Sequence, residues 1–207
     1  LHSTNKPGSD GSGHNSQPKL RCIATYNPNL TSFYIMSDSD SDFEIEYDED
    51  GNADIGNGVF FNRMIRIGDD TYDRETVTEI RVREGVTRID DRMFCCATKL
   101  KKVILPDSIT EIGDYAFGCC RRLETINILD SVTTIREYAF LQTKSLKTIH
   151  IPASLTSIPY GVFESSGLTS IDIPDSVTSI ADFAFVECFG LTSINIPPSV
   201  TSIAESA

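Results

Sequence analysis

The stretch LTSIDIPDSVTSIADFAFVEC, residues 168–188, decides the fold because its pattern is written along most of the chain. Its opening, aliphatic at Leu168, Ile171 and Ile173, recurs from Val77, Leu100, Leu123, Leu146 and Leu191. The starts lie 23 residues apart except for one interval of 22. A fixed period of that length predicts a solenoid, with each repeat forming one coil of a stack.

The columns of the repeat explain why a coil closes. The fourth and sixth positions, such as Val103 and Leu105, flank a single residue. They therefore lie on one face of a short strand, with the fifth residue on the other. Position seven is Pro106, Pro152, Pro174 or Pro197 in four copies, which removes a ladder donor and ends the strand. A second aliphatic pair follows, as in Ile109 and Ile112, always with Thr between: Thr87, Thr110, Thr133, Thr156, Thr178 and Thr201. That pattern suits a second short strand or an extended turn on the far side. Phe94, Phe117, Phe140, Phe163 and Phe185 close the coils and predict a stacked aromatic spine. The expected class is an α/β-type repeat solenoid built mostly of short parallel β-strands.

Residues 168–188 closely resemble the repeat of the BspA-like leucine-rich repeat family, because hydrophobic, Pro, Thr, Phe and small-residue columns recur together. The resemblance covers about two thirds of the chain. It implies a right-handed leucine-rich repeat stack. It also implies a surface-exposed or secreted protein that binds host or matrix proteins or other cells. Residues 1–76 fall outside it.

Residues 1–19 are Gly, Ser, Asn, Pro and His with little to bury, and read as a disordered linker. Residues 20–76 hold strand-like pieces broken by Asn-Pro and Asp-Gly-Asn turns, and read as an acidic, β-rich N-terminal cap. Residues 77–207 are the solenoid, whose sixth copy stops before its Phe position. The chain opens on Leu1 rather than Met and reads as an excerpt.

The net charge of −12 argues against nucleic acid as a partner, and no apolar run is long enough to span a membrane. The charge is unevenly placed. Residues 1–76 carry 14 acids and 6 bases, residues 77–147 carry 10 and 12, and residues 148–207 carry 6 and none.

Several residues invite a chemical role. Cys95, Cys96, Cys119, Cys120 and Cys188 suggest a metal or a disulfide. The small-residue column, however, holds Ala97, Cys120, Thr143, Ser166 and Cys188, an exchange that metal ligands do not tolerate. Buried thiols are favoured, with a Cys96–Cys119 disulfide as the alternative, one coil apart at ~4.8 Å. Asp38, Asp40, Asp42, Asp50 and Asp54 offer hard oxygen ligands for calcium. Ile55 stands where an EF-hand loop needs Gly, so a solvated acidic loop is the better reading. Asn29 opens a glycosylation sequon. The three His residues lie apart, and no nucleophile elbow, phosphate loop or H-E-x-x-H motif occurs, so neither an enzyme nor a cofactor is expected.

The outward positions mark the expected contact surface. The fifth column holds Arg81, Ile104, Asn127, His150, Asp172 and Asn195, and the third holds Glu79, Lys102, Thr125, Thr148, Ser170 and Ser193. Both vary while the inward columns stay aliphatic, as on a fixed scaffold with a changeable surface. Beside them Lys99, Lys101, Arg121, Arg122, Lys144 and Lys147 form a basic lip at the coil junctions. This face is expected to bind another protein, on the cell surface or after secretion. A solvated edge on a cytoplasmic scaffold is the alternative.

Overall fold

A computed structural model describes residues 63–207 in full and, before them, the backbone of strands at 24–27, 30–35, 52–54 and 60–62. The chain divides into two compact units, residues 1–46 with 54–59, and residues 47–53 with 60–207. In the first, β1 (Ala24–Asn27) pairs antiparallel with β2 (Leu30–Ile35) across an irregular register between Thr25 and Asn27. Farther along the chain, β3 (Asn52–Asp54) pairs with β4 (Phe60–Asn62).

Within the larger unit, β5 (Met64–Ile67) and β6 (Asp70–Asp73) form an antiparallel hairpin ahead of the coils. Gly68, at φ +58, supplies the left-handed residue that a two-residue hairpin loop needs. Alternation along β5 buries Ile65 and Ile67, and both join the hydrophobic core of the coils.

The first coil carries β7 (Glu79–Arg81) and β8 (Arg88–Ile89), the second β9 (Lys102–Ile104) and β10 (Glu111–Ile112), and the third β11 (Thr125–Asn127) and β12 (Thr134–Ile135). The last three carry one named strand each, β13 (Ser157–Ile158), β14 (Ser179–Ile180) and β15 (Ser202–Ile203). Every pairing between coils is parallel and in register, as Ile80, Val103 and Ile126 demonstrate. Among the described residues there is no helix, and the Phe-bearing side of each coil is built from turns. The aromatic spine is continuous: Phe94, Phe117, Phe140, Phe163 and Phe185 stack at 5.0, 5.4, 5.8 and 5.7 Å between ring centroids. A second row, Arg92, Tyr115, Tyr138, Tyr160 and Phe183, runs beside it.

Those turns rest on two left-handed columns. Arg92, Tyr115, Tyr138, Gly161 and Phe183 form one, and Cys96, Cys119, Gln142, Ser165 and Glu187 the other, all with φ between 54 and 60. For an L-residue this conformation costs about 1–2 kcal/mol. It persists because it aims the backbone N–H along the stack, so that Tyr115 donates to Glu137 O, Cys119 to Leu141 O and Gln142 to Glu164 O. Unbonded, each of those buried donors would cost about 1–3 kcal/mol. The columns are thus a condition of stacking.

The fourth coil departs from the others. Pro159 stands where Gly113, Arg136, Ala181 and Ala204 donate to the preceding coil, so the ladder that links β8, β10 and β12 stops before β13. The strand face also loses its pairing there and regains only an isolated bridge, Asp172 to Asn195. The face predicted to run through six coils is a regular sheet in three. The single 22-residue interval is closed by Gly167, where a Cβ would stand 1.9 Å from Lys144 O. Only the turn side crosses this seam unbroken, through Tyr138 N to Tyr160 O, Phe140 N to Val162 O and the Phe140–Phe163 stack.

At the first coil a side chain replaces the missing neighbour. In later coils the carbonyls of Ala116 and Gly118 accept from the coil before. Their first-coil equivalents, Met93 O and Cys95 O, instead accept from the guanidinium of buried Arg74, at 3.1 Å for Met93. One fork satisfies two acceptors.

Candidate binding face

The three-stranded sheet aligns Glu79, Lys102 and Thr125 in one row and Arg81, Ile104 and Asn127 in the next. Strand alternation turns Ile80 and Val103 inward and leaves these rows outside, with Ile104 half-buried. Within the first row Lys102 pairs with Glu79 at 3.2 Å. Thr148, His150, Asp172 and Asn195 are exposed on the later coils. His150 Nε2 lies 3.1 Å from Asp130 Oδ1, a contact that holds the Asp130 carboxyl below its ordinary range.

Asn127 has a role that its column did not announce. Its Oδ1 accepts from Leu105 N at 2.7 Å and its Nδ2 donates to Leu105 O at 3.0 Å. The side-chain amide therefore pairs with the preceding coil like one more residue of strand. The available signal was an Asn just before an aliphatic position, and it does not distinguish this role from a surface contact.

The lip is more open than the sheet. Lys99, Lys101, Arg122, Lys144 and Lys147 are exposed and Arg121 is half-buried. No carboxylate among the described residues lies within 4 Å of Lys99, Lys101, Arg121, Lys144 or Lys147. Arg121 Nη2 instead contacts Gln142 Oε1 at 3.4 Å, and Lys147 Nζ the carbonyl of Lys144 at 3.5 Å. On the β8–β10–β12 side, Arg88 and Arg136 both engage Glu111. The first three coils thus neutralise their charge on one side and leave it open on the other.

Cys95, Cys96, Cys119, Cys120 and Cys188 are buried free thiols. Cys120 donates to Phe94 O and Cys188 to Phe163 O, each at 3.0 Å, and burial pushes both thiols up. The described residues contain no group of three or more His, Cys, Asp or Glu arranged for a metal, and no helix long and apolar enough to cross a membrane. The side chains of Asp38, Asp40, Asp42, Asp50 and Asp54, together with Asn29 and Cys22, lie outside the described residues.

Glu164 was not singled out from the sequence. It is 8% exposed, its Oε2 has no hydrogen-bond partner, and burial assisted by Glu187 raises its pKa to about 7. Its position is Gly118, Leu141 and Val186 in other coils, and that column is the signal that would have found it.

The model of the "BspA type Leucine rich repeat region" matches six copies, over residues 65–188 and 156–207. No curated protein matches significantly. Among solved structures, a leucine-rich repeat protein of T. pallidum is similar at 27% identity and a TM-score of 0.56, over 63% of this chain and 69% of that one. A leucine-rich cell surface protein of Faecalibacterium prausnitzii is 33% identical, with a TM-score of 0.58, over 70% of this chain and 43% of that one. The pneumococcal vaccine antigen PcpA shares the fold at 21% identity and a TM-score of 0.54, over 76% of this chain and 44% of that one. The chain thus spans less than half the length of the last two. With the repeat model matched from Ile65 to the last residue and the coils stacked as that repeat requires, the chain belongs to the BspA-type leucine-rich repeat family.

Proposed function

We propose that this chain is a non-catalytic protein-binding module, an adhesive or recognition part of a larger surface or secreted protein. Its lip takes an acidic segment of a host, matrix or cell-surface protein. The observation that carries the reading is the lip itself, where Lys99, Lys101, Arg121, Lys144 and Lys147 gather at three successive coil junctions without a carboxylate partner within 4 Å among the described residues. Cations stacked at a coil spacing of ~4.8 Å repel one another. An acidic partner relieves that repulsion and gains in association rate. The adjoining sheet rows supply a polar rim around half-buried Ile104. The F. prausnitzii neighbour, described as a cell surface protein, supports the location.

The test is capture of matrix and cell-surface proteins by the wild type and by a variant with Lys99, Lys101, Lys144 and Lys147 replaced by Glu. Loss of the captured proteins at an unchanged melting temperature is the expected result. Equal capture by both forms refutes the lip.

A second reading, a cytoplasmic scaffold, is favoured by the five buried free thiols, which suit a reducing compartment. Thiol titration of protein from its native source separates the two.

A further inference from the structure

Three thiols of the first two coils lie in one neighbourhood. Cys95 Sγ lies 3.8 Å from Cys96 Sγ and 3.5 Å from where a Cβ on Gly118, the residue before Cys119, would stand. Cys96 and Cys119 share a left-handed column, each at φ 60, on coils joined by Cys96 N to Gly118 O. Side chains in this column touch from coil to coil, as Cys119 touches Gln142 at 3.8 Å and Ser165 touches Glu187 at 2.6 Å. Stacked coils place such Cα atoms ~4.8 Å apart, within the roughly 4.4–6.8 Å that a disulfide accepts. Cys120 turns away, toward Phe94 O.

We propose that in an oxidising environment Cys119 forms a disulfide with one member of the Cys95–Cys96 pair, stapling the first coil to the second. The inference does not depend on the binding reading. The oxidant is a small disulfide such as oxidised glutathione. A Cys119 thiolate attacks one glutathione sulfur and expels a glutathione thiolate. The thiolate of Cys95 or Cys96 then attacks the Cys119 sulfur of the mixed disulfide and expels the second. Two protons leave the protein and two electrons pass to glutathione. Their proximity to one another and their burial make the packed thiols poor acids, so exchange takes place while the coils dock and the finished bond is shielded from reductant.

The experiment refolds the full chain from denaturant in a glutathione redox buffer, alkylates the free thiols and maps the tryptic peptides. The expected product has lost two of its six thiols and links peptide 93–99 to peptide 103–121. The link disappears in Cys119→Ser, survives in Cys120→Ser and Cys188→Ser, and raises the melting temperature in a way that reductant reverses. Ser165 occupies the same column, so Cys119→Ser introduces a side chain that the coil accepts elsewhere. Six remaining thiols, a bond confined to Cys95 and Cys96, or a link through Cys22 overturns the proposal on the wild type alone, and a link that survives in Cys119→Ser but is lost in Cys120→Ser overturns it as well.

Discussion

A Cβ on Gly161 would stand 2.3 Å from Cε1 of Tyr138. In the neighbouring coils the equivalent left-handed residue carries its own aromatic ring. Here Tyr160 supplies the ring one residue early, meeting Tyr138 edge-on at 5.3 Å, and the backbone at Gly161 passes beneath. Gly161→Ala forces that ring aside and adds left-handed strain of ~1–2 kcal/mol. The expected loss is about 2–4 kcal/mol by denaturant titration. Tyr138→Ala in the same chain recovers part of it, since the clash then has no partner.

Arg74 is the first-coil counterpart of a whole neighbouring coil. Arg74→Met keeps the apolar stem and removes the fork, leaving Met93 O and Cys95 O without these donors. The expected cost is about 2–4 kcal/mol. Arg74→Lys recovers little, because a single ammonium does not reproduce two parallel donors. Hydrogen exchange in the first coil should quicken before that of the third.

Phe140 is fully buried between Phe117 and Phe163. Phe140→Ala should cost about 3–5 kcal/mol. A loss below about 1 kcal/mol would mean that the stack contributes little to stability.

Glu164 gives stability a pH dependence of its own. Its carboxyl titrates near 7 in the folded chain against 4.5 for the free group, so the folded state holds a proton that the unfolded state gives up. Unfolding free energy should therefore fall as pH rises from about 4.5 to 7 and level off above. Glu164→Gln removes this component of the slope and should stabilise the protein at pH 8, by roughly 1–3 kcal/mol, far more than at pH 4. Parallel pH profiles for the two proteins would exclude the effect.

The inward columns were legible from sequence because each obeys one rule, burial, repeated from coil to coil until the last, where Ile196 and Ile203 are exposed. Leu100, Val103, Leu105 and the Phe spine lie where their periodicity put them. Arg74, Glu164, Asn127 and Pro159 each act once, through a neighbour 19 or more residues away, and a period carries no information about a single event. The left-handed columns escaped for a different reason. Apart from Gly161, they are filled by Arg, Tyr, Phe, Cys, Gln, Ser and Glu, and none of these announces a positive φ as Gly does. The predicted contact rows were placed by the same alternation as the core. The salt bridge of Lys102 and the amide pairing of Asn127 depend on which residue lies opposite, and register supplies that.

Pro159 bears on tensile load. A protein that holds a partner while its remainder is anchored elsewhere is pulled, and a stack yields where the fewest cross-connections resist. Between the third and fourth coils the two strand ladders lapse together, leaving the turn-side bonds, two pairs of rings and the side-chain contacts of His150 with Asp130 and Ser154 with Val132 O to carry the strain. In a single-molecule stretching trace the base-rich coils before residue 148 should therefore part from the base-free coils after it as two separate rips. Pro159→Ala, which restores a donor opposite Ile135 O, should merge them into one larger event.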